Sequence, residues 1–122
     1  MKRELNPNAR KLGAYSAAVE ANGTIYVSGQ LGLNPETGDF ASPDAAGQAE
    51  QALKNLKTML EQAGLTMDNV VKTCVFLADI ADFSAVNEVY SSFFNAPYPA
   101  RSCMQVGALP RAAKVEIEAI VV

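Results

Sequence analysis

The chain contains no histidine, and only two cysteines among its 122 residues. Without an imidazole there is no Ser-His-Asp or Cys-His catalysis, no histidine-containing metal site and no imidazole base working near neutral pH. Two cysteines, Cys74 and Cys103, are too few for a thiolate zinc site or a disulfide framework. Both fall in segments that read as interior strands, and a reducing cytoplasm suits them. Long apolar runs are also missing: none approaches the ~20 residues a membrane span needs. The opening Met1-Lys2-Arg3-Glu4-Leu5-Asn6-Pro7 has two basic residues but no apolar stretch behind them, so it does not read as a secretory signal. Lys and Arg are scattered within a formal net charge of -3, which gives a nucleic-acid surface little electrostatic support. Chemistry is left to carboxylate, guanidinium, hydroxyl, thiol and backbone groups. Such a set suits an easy reaction and equips the protein poorly for a hard one.

What is present is enough for a packed core. Hydrophobic residues make up 49% of the chain and charged residues 19%, consistent with one compact domain over residues 1–122. Asn22-Gly23, between Ser16–Ala21 and Thr24–Ser28, is a strong hairpin signal, because both turn positions must take positive φ. A turn-rich loop follows, broken at Asn34-Pro35 and Thr37-Gly38-Asp39. The first helix is expected to open at Ser42-Pro43 with Ser42 as its cap. Its apolar stripe is Ala45, Ala49, Ala52, Leu53, Leu56, Met59, Leu60 and Ala63, and Gly64-Leu65 supplies a left-handed stop. Val70 to Ala78 reads as a central strand. A second helix runs from about Asp79 or Asp82 to Phe94, with Phe83, Val86, Tyr90, Phe93 and Phe94 on its apolar side. Strands near Ala100–Val106 and Lys114–Val122 complete an α+β order: a mixed sheet with two helices on one face. The last strand is apolar on both faces toward its C-terminal end, so the face left without helices is expected to meet another subunit.

Arg101 lies in a strand whose residues Arg101, Cys103 and Gln105 share one face. A guanidinium there needs an anion or solvent, because it cannot deprotonate. It fits a substrate carboxylate, but for the residue alone a structural pair with Glu116 or Glu118, or a solvated arginine, is the more common arrangement. Glu116, mid-strand among aliphatics, is either an acid able to orient water or an exposed polar-face residue. Cys103 has no base nearby in sequence, so a packed thiol is the simpler reading. Asn87 interrupts the apolar stripe of the second helix and needs a partner, either the chain around it or a ligand. Tyr15 and Ser28 offer hydroxyls near the hairpin. Gly29-Gln30-Leu31-Gly32 precedes no helix and lacks the phosphate-cradle pattern.

Taken together, these segments resemble the RidA/YjgF family. The resemblance is carried by Tyr98-Pro99-Ala100-Arg101-Ser102-Cys103-Met104-Gln105-Val106-Gly107-Ala108-Leu109-Pro110 and Lys114-Val115-Glu116-Ile117-Glu118-Ala119. Upstream it extends through Gly13-Ala14-Tyr15, Val27-Ser28-Gly29-Gln30, Asn34-Pro35-Glu36-Thr37-Gly38, Val71-Lys72-Thr73 and Asp82-Phe83 with Val86-Asn87. It implies a chorismate-mutase-like fold, a homotrimer with clefts between subunits, and hydrolysis of reactive 2-imino acids (2-iminobutanoate, 2-iminopropanoate) to 2-keto acids and ammonia. By the same resemblance, Arg101 clamps the substrate carboxylate and Glu116 holds or activates the attacking water. The Cys103 backbone, with that near Ser28 and Gly29, fixes the imino acid, while Tyr15 and Asn87 shape the cleft. Ala108, where many relatives carry a basic residue, bears on side-chain preference. Ala14, where proline is common, bears on the Tyr15 loop. Imines are electrophilic already, so orientation and one positioned water suffice, with no metal or organic cofactor. The rival readings are a non-enzymatic 2-keto-acid-binding or chaperone-like trimer and, against the charge balance, a ribonuclease.

Overall fold

The computed structural model describes residues 1–9, 11 and 13–122. A short strand, Arg3–Leu5 (β1), pairs antiparallel with Ala18–Ala21 (β2). Its three residues are too few to show an alternation, and the sequence reading did not anticipate it. Asn22 and Gly23 take φ of 53° and 82°, closing the expected hairpin onto Thr24–Leu31 (β3). Ile25 and Val27 are buried and Tyr26 is exposed, as the alternation requires. The strand does not end at Ser28, however. It continues to Leu31 across a bulge, since Val27 opposes Ala119 while Gln30 opposes Ile117. Two residues, Ser28 and Gly29, thus face one on the partner strand, which bends β3 without stopping it.

The first helix, Ala45–Gln62 (α1), is capped by Asp44 rather than Ser42: the Asp44 carboxylate accepts from the Gly47 N–H at 2.7 Å. Ser42 instead donates its hydroxyl to Asp44 at 3.0 Å. A carboxylate outcompetes a hydroxyl for the electropositive first turn, so the cap moves two residues inward. The helix face from Ala45 to Leu60 is buried as its spacing predicts, except that Ala63 is exposed. Gly64 at φ 78° stops the helix, with Leu65 N–H donating to the Leu60 carbonyl at 2.8 Å. Gly32 lets β3 and its loop press on α1, because a Cβ there would collide with the Gln48 backbone. Buried Gln48 answers by bonding the Ser42 carbonyl at 3.1 Å and the Lys114 N–H at 2.9 Å.

Val70–Leu77 (β4) is a central strand as expected. The second helix, Phe83–Ser91 (α2), opens behind Asp82, the later of the two expected starts, because Ile80–Asp82 form a separate 3₁₀ turn; it ends earlier than predicted, with Phe93 and Phe94 beyond its last turn. It leads to Ala100–Gln105 (β5), and the chain closes with Val115–Val121 (β6). The sheet order is β1-β2-β3-β6-β4-β5, antiparallel except for the β4–β5 pair that α2 connects. Cys74 is therefore interior, but β5 is an edge strand, so Cys103 is not. Val115, Ile117, Ala119 and Val121 of β6 are all buried with α1, and both helices pack on this one face. The other face carries no helix: Phe76 and Met104 lie on it with Glu116, beside Ile120 and Tyr26. Tyr26 and Met104 keep 51% and 41% of their surface exposed there. Among the described residues no helix is long and apolar enough to cross a membrane.

Candidate functional site

On β5, Arg101 opposes Thr73 and Cys103 opposes Val75, which puts both on the helix-bearing face. The exposed Arg101 reaches over α2, where its Nη1 donates to Asn87 Oδ1 at 2.6 Å. The guanidinium carbon lies 4.8 Å from the Tyr90 ring centroid and 5.5 Å from that of Phe83, inside cation–π range. Phe83, Asn87 and Tyr90 stand four and three residues apart, so they form one stripe of α2. The amide that interrupted the apolar stripe thus finds its partner in Arg101, and neither Glu116 nor Glu118 pairs with the guanidinium. Cys103 is half-buried. Burial pushes its thiol pKa up, Arg101 pulls it partly back and Cys74 adds to the rise, so the sulfur is a poor nucleophile at neutral pH.

The second group of predicted residues lies on the opposite, helix-free face. Glu116, alternating with the buried positions of β6, is half-buried there. Its carboxyl group rests on Gly29: a Cβ on Gly29 would lie 2.6 Å from Glu116 Cδ and 2.8 Å from Cγ. The bulge at Ser28-Gly29 and the missing side chain together make room for the acid. Burial raises the Glu116 pKa above the ordinary carboxylate value, and repulsion from Glu118 adds to the rise. Ser28 is tied to the hairpin, with its hydroxyl donating to the Ser16 carbonyl at 2.6 Å and its N–H to the Ala17 carbonyl at 2.9 Å. Tyr15 is 44% exposed and lines an open cavity of about 620 Å³ with Ser16, Tyr26, Ser28 and Glu118.

The chain therefore assembles Tyr15, Ser28, Gly29 and Glu116 on one side of the sheet and Arg101, Asn87 and Cys103 on the other. One copy does not bring Arg101 and Glu116 together. Sequence reasoning also passed over Tyr90, Phe83 and Thr73, which surround the guanidinium. Their helical spacing with Asn87 marked the first two, and Thr73, a polar residue in a largely apolar run and part of the Val71-Lys72-Thr73 segment, carried no sign of its partner.

A family model described as Endoribonuclease L-PSP matches residues 6–122. Mouse and human proteins named 2-iminobutanoate/2-iminopropanoate deaminase are 51% and 49% identical over 111 residues, which is 91% of this chain and 82% and 81% of theirs. Among solved structures, RidA from an Antarctic Psychrobacter superposes with a TM-score of 0.88 at 44% identity, covering 93% of this chain and 91% of that one. Escherichia coli TdcF with bound serine gives a TM-score of 0.86 at 41% identity, covering 92% and 90%. A match over nearly the whole sequence, with identity near one half and a shared backbone, makes this chain a member of the Endoribonuclease L-PSP family, the RidA/YjgF proteins.

Proposed function

We propose that the protein is a hydrolytic deaminase converting small 2-imino acids, such as 2-iminobutanoate and 2-iminopropanoate, to 2-keto acids and ammonia. The observation that carries this reading is Arg101. Its guanidinium is held over α2 with Nη1 engaged by Asn87, so the remaining edge of the fork is presented to a planar carboxylate. The names of the mouse and human relatives point to the same substrates. The Escherichia coli relative holds serine, another small molecule with a carboxylate beside its nitrogen-bearing carbon.

In the reaction, Glu116 as carboxylate takes a proton from water while the water oxygen bonds to the imine carbon. The substrate enters as the protonated imine, so the C=N π electrons moving to the iminium nitrogen leave a neutral carbinolamine with no further proton required. The protonated Glu116 then returns its proton to that nitrogen, and the C–N bond breaks to release ammonia. The hydroxyl proton passes to the freed Glu116 carboxylate and on to ammonia, which leaves the keto acid, ammonium and the starting carboxylate. A pKa raised by burial and by Glu118 makes the Glu116 carboxylate a stronger proton acceptor than an ordinary glutamate. The Cys103 and Gly29 backbones position the substrate, with no metal or organic cofactor in the sequence of steps.

For Arg101 and Glu116 to act on one molecule, a second copy must bring its β3–β6 face to the first copy's β5 edge. A homotrimer with inter-subunit clefts does this, using the helix-free face around Tyr26, Phe76, Met104 and Ile120 as its contact. Two reduced cysteines suit a cytoplasmic setting. The ribonuclease reading suggested by the family description is disfavoured by the net charge of -3 and the absence of histidine.

The test is to generate 2-iminobutanoate in situ with a dehydratase and follow keto-acid release with and without the protein. Light scattering under the same conditions gives the assembly mass. Acceleration by a trimer is expected, and Ile120→Asp, which places a charge in the contact, should abolish both. Unchanged keto-acid release would leave a carboxylate-binding protein without turnover; a fully active monomer would overturn the shared cleft.

A further inference from the structure

Arg101 stands on an edge strand at the end of a long, flexible side chain, and a single hydrogen bond to Asn87 does not define the plane of a guanidinium. Below it the structure is unusually determined. Thr73, directly opposite Arg101 in the β4–β5 pair, is completely buried, and its hydroxyl lies 2.7 Å from the Tyr90 hydroxyl. The Tyr90 ring, 4% exposed, is backed by Phe94 at 4.7 Å between centroids and lies 4.8 Å from the Arg101 guanidinium carbon.

We propose that Tyr90, locked by Thr73, is a positioning residue for Arg101: the buried hydroxyl pair holds the ring in the one orientation that aims the guanidinium fork at the substrate carboxylate. The inference rests on the reading of Arg101 as a carboxylate clamp. Three links close on one another. Thr73 is set by the β4 ladder, Tyr90 is set by Thr73, and Arg101 returns to the same ladder one strand away. The two hydroxyls satisfy each other, and a Val–Phe pair of the same shape would be nearly neutral in net stability. Their use therefore lies in orientation rather than in holding the core together. Burial raises the Tyr90 pKa, so the phenol keeps its proton throughout the physiological range.

The experiment measures binding of the keto acid 2-oxobutanoate by calorimetry, together with KM, kcat and melting temperature. The variants are Thr73→Val, Tyr90→Phe, the double variant, Thr73→Ser and, as reference, Arg101→Ala. Thr73→Val and Tyr90→Phe, taken singly, each leave one hydroxyl buried without a partner and lower the melting temperature. The double variant removes both hydroxyls and recovers stability. If Tyr90 positions Arg101, the double variant still binds 2-oxobutanoate about three- to tenfold more weakly, with KM raised more than kcat is lowered, while Thr73→Ser stays near the parent. A double variant with parental affinity and KM overturns the inference, because a purely structural pair predicts that result. Arg101→Ala separates the two readings. If it binds the keto acid like the parent, the carboxylate clamp itself fails. If it loses binding while every Thr73 and Tyr90 variant retains it, the positioning role alone fails.

Discussion

The two faces of the sheet hold their functional groups by different means. On the β5–α2 side a permanent cation is steered by contacts: Asn87 takes one N–H, and Tyr90 and Phe83 lie within cation–π reach. On the β3–β6 side a carboxyl group is steered by the removal of matter, with Gly29 giving up a side chain so that Glu116 can lie against the strand. The first arrangement depends on what surrounds the charge, the second on a space kept open for it. Their electrostatic consequences differ as well. Arginine stays charged whatever its surroundings, whereas half-burial and Glu118 raise the Glu116 pKa.

The largest effect expected from disturbing this contrast is on the cation. Arg101→Lys keeps the charge but loses the planar fork that can donate to Asn87 and a carboxylate together, so imine hydrolysis should fall at least about a hundredfold, equivalent to about 2.7 kcal/mol. The circular dichroism spectrum and melting temperature should stay close to parental, since Arg101 is exposed in the chain. Near-parental turnover in a folded variant would sink the clamp.

Gly29→Ala tests the other side. The clash falls on the movable end of the Glu116 side chain and not on backbone, so stability should drop by only about 1 kcal/mol. Activity should fall further, by about ten- to a hundredfold, because the carboxyl group is displaced from its place. Gly32→Ala is the matched control, since its new Cβ strikes the Gln48 backbone. It should cost more stability than Gly29→Ala, and equal melting temperatures for the two would remove the distinction.

A smaller, pH-dependent effect follows from Glu118. Removing its charge in Glu118→Gln should lower the Glu116 pKa and move the acid limb of the rate profile to lower pH. The linked stability has a definite sign. A carboxyl whose folded pKa is raised contributes stability that is fully present below its unfolded pKa and is lost as pH rises through the folded value. Glu116→Gln should therefore raise the melting temperature at neutral pH, with the advantage shrinking on acidification. A profile that ignores Glu118 would deny the coupling.

Cys103→Ala should change least. With the thiol held neutral by burial and the backbone left in place, much of the activity should survive, apart from a modest repacking loss. A folded variant without detectable turnover would assign the sulfur a role in the chemistry.

Local information was sufficient for most of the elements. The Asn22-Gly23 turn, the apolar spacing of α1 and the left-handed stop at Gly64 each depend on residues close together in sequence, and each appears where the sequence places it. Errors arose where neighbours compete or a distant strand intervenes. Asp44 displaced Ser42 as cap, β3 ran on past Ser28 because β6 continues to pair with it, and β5 became an edge because β6 inserts between β3 and β4.

The candidate residues were legible by type and by strand face. Alternation alone placed Arg101 with Cys103 on one side of β5 and Glu116 opposite the buried positions of β6. Composition alone removed histidine chemistry. The distribution of these groups over the two sides of the sheet was decided by tertiary structure, because it depends on how β4, β5 and β6 are ordered. The Thr73–Tyr90 pair beneath Arg101 likewise joins residues 17 apart in sequence. Periodicity reports which way a side chain points from its own strand or helix, and it carries no information about the element that packs against it.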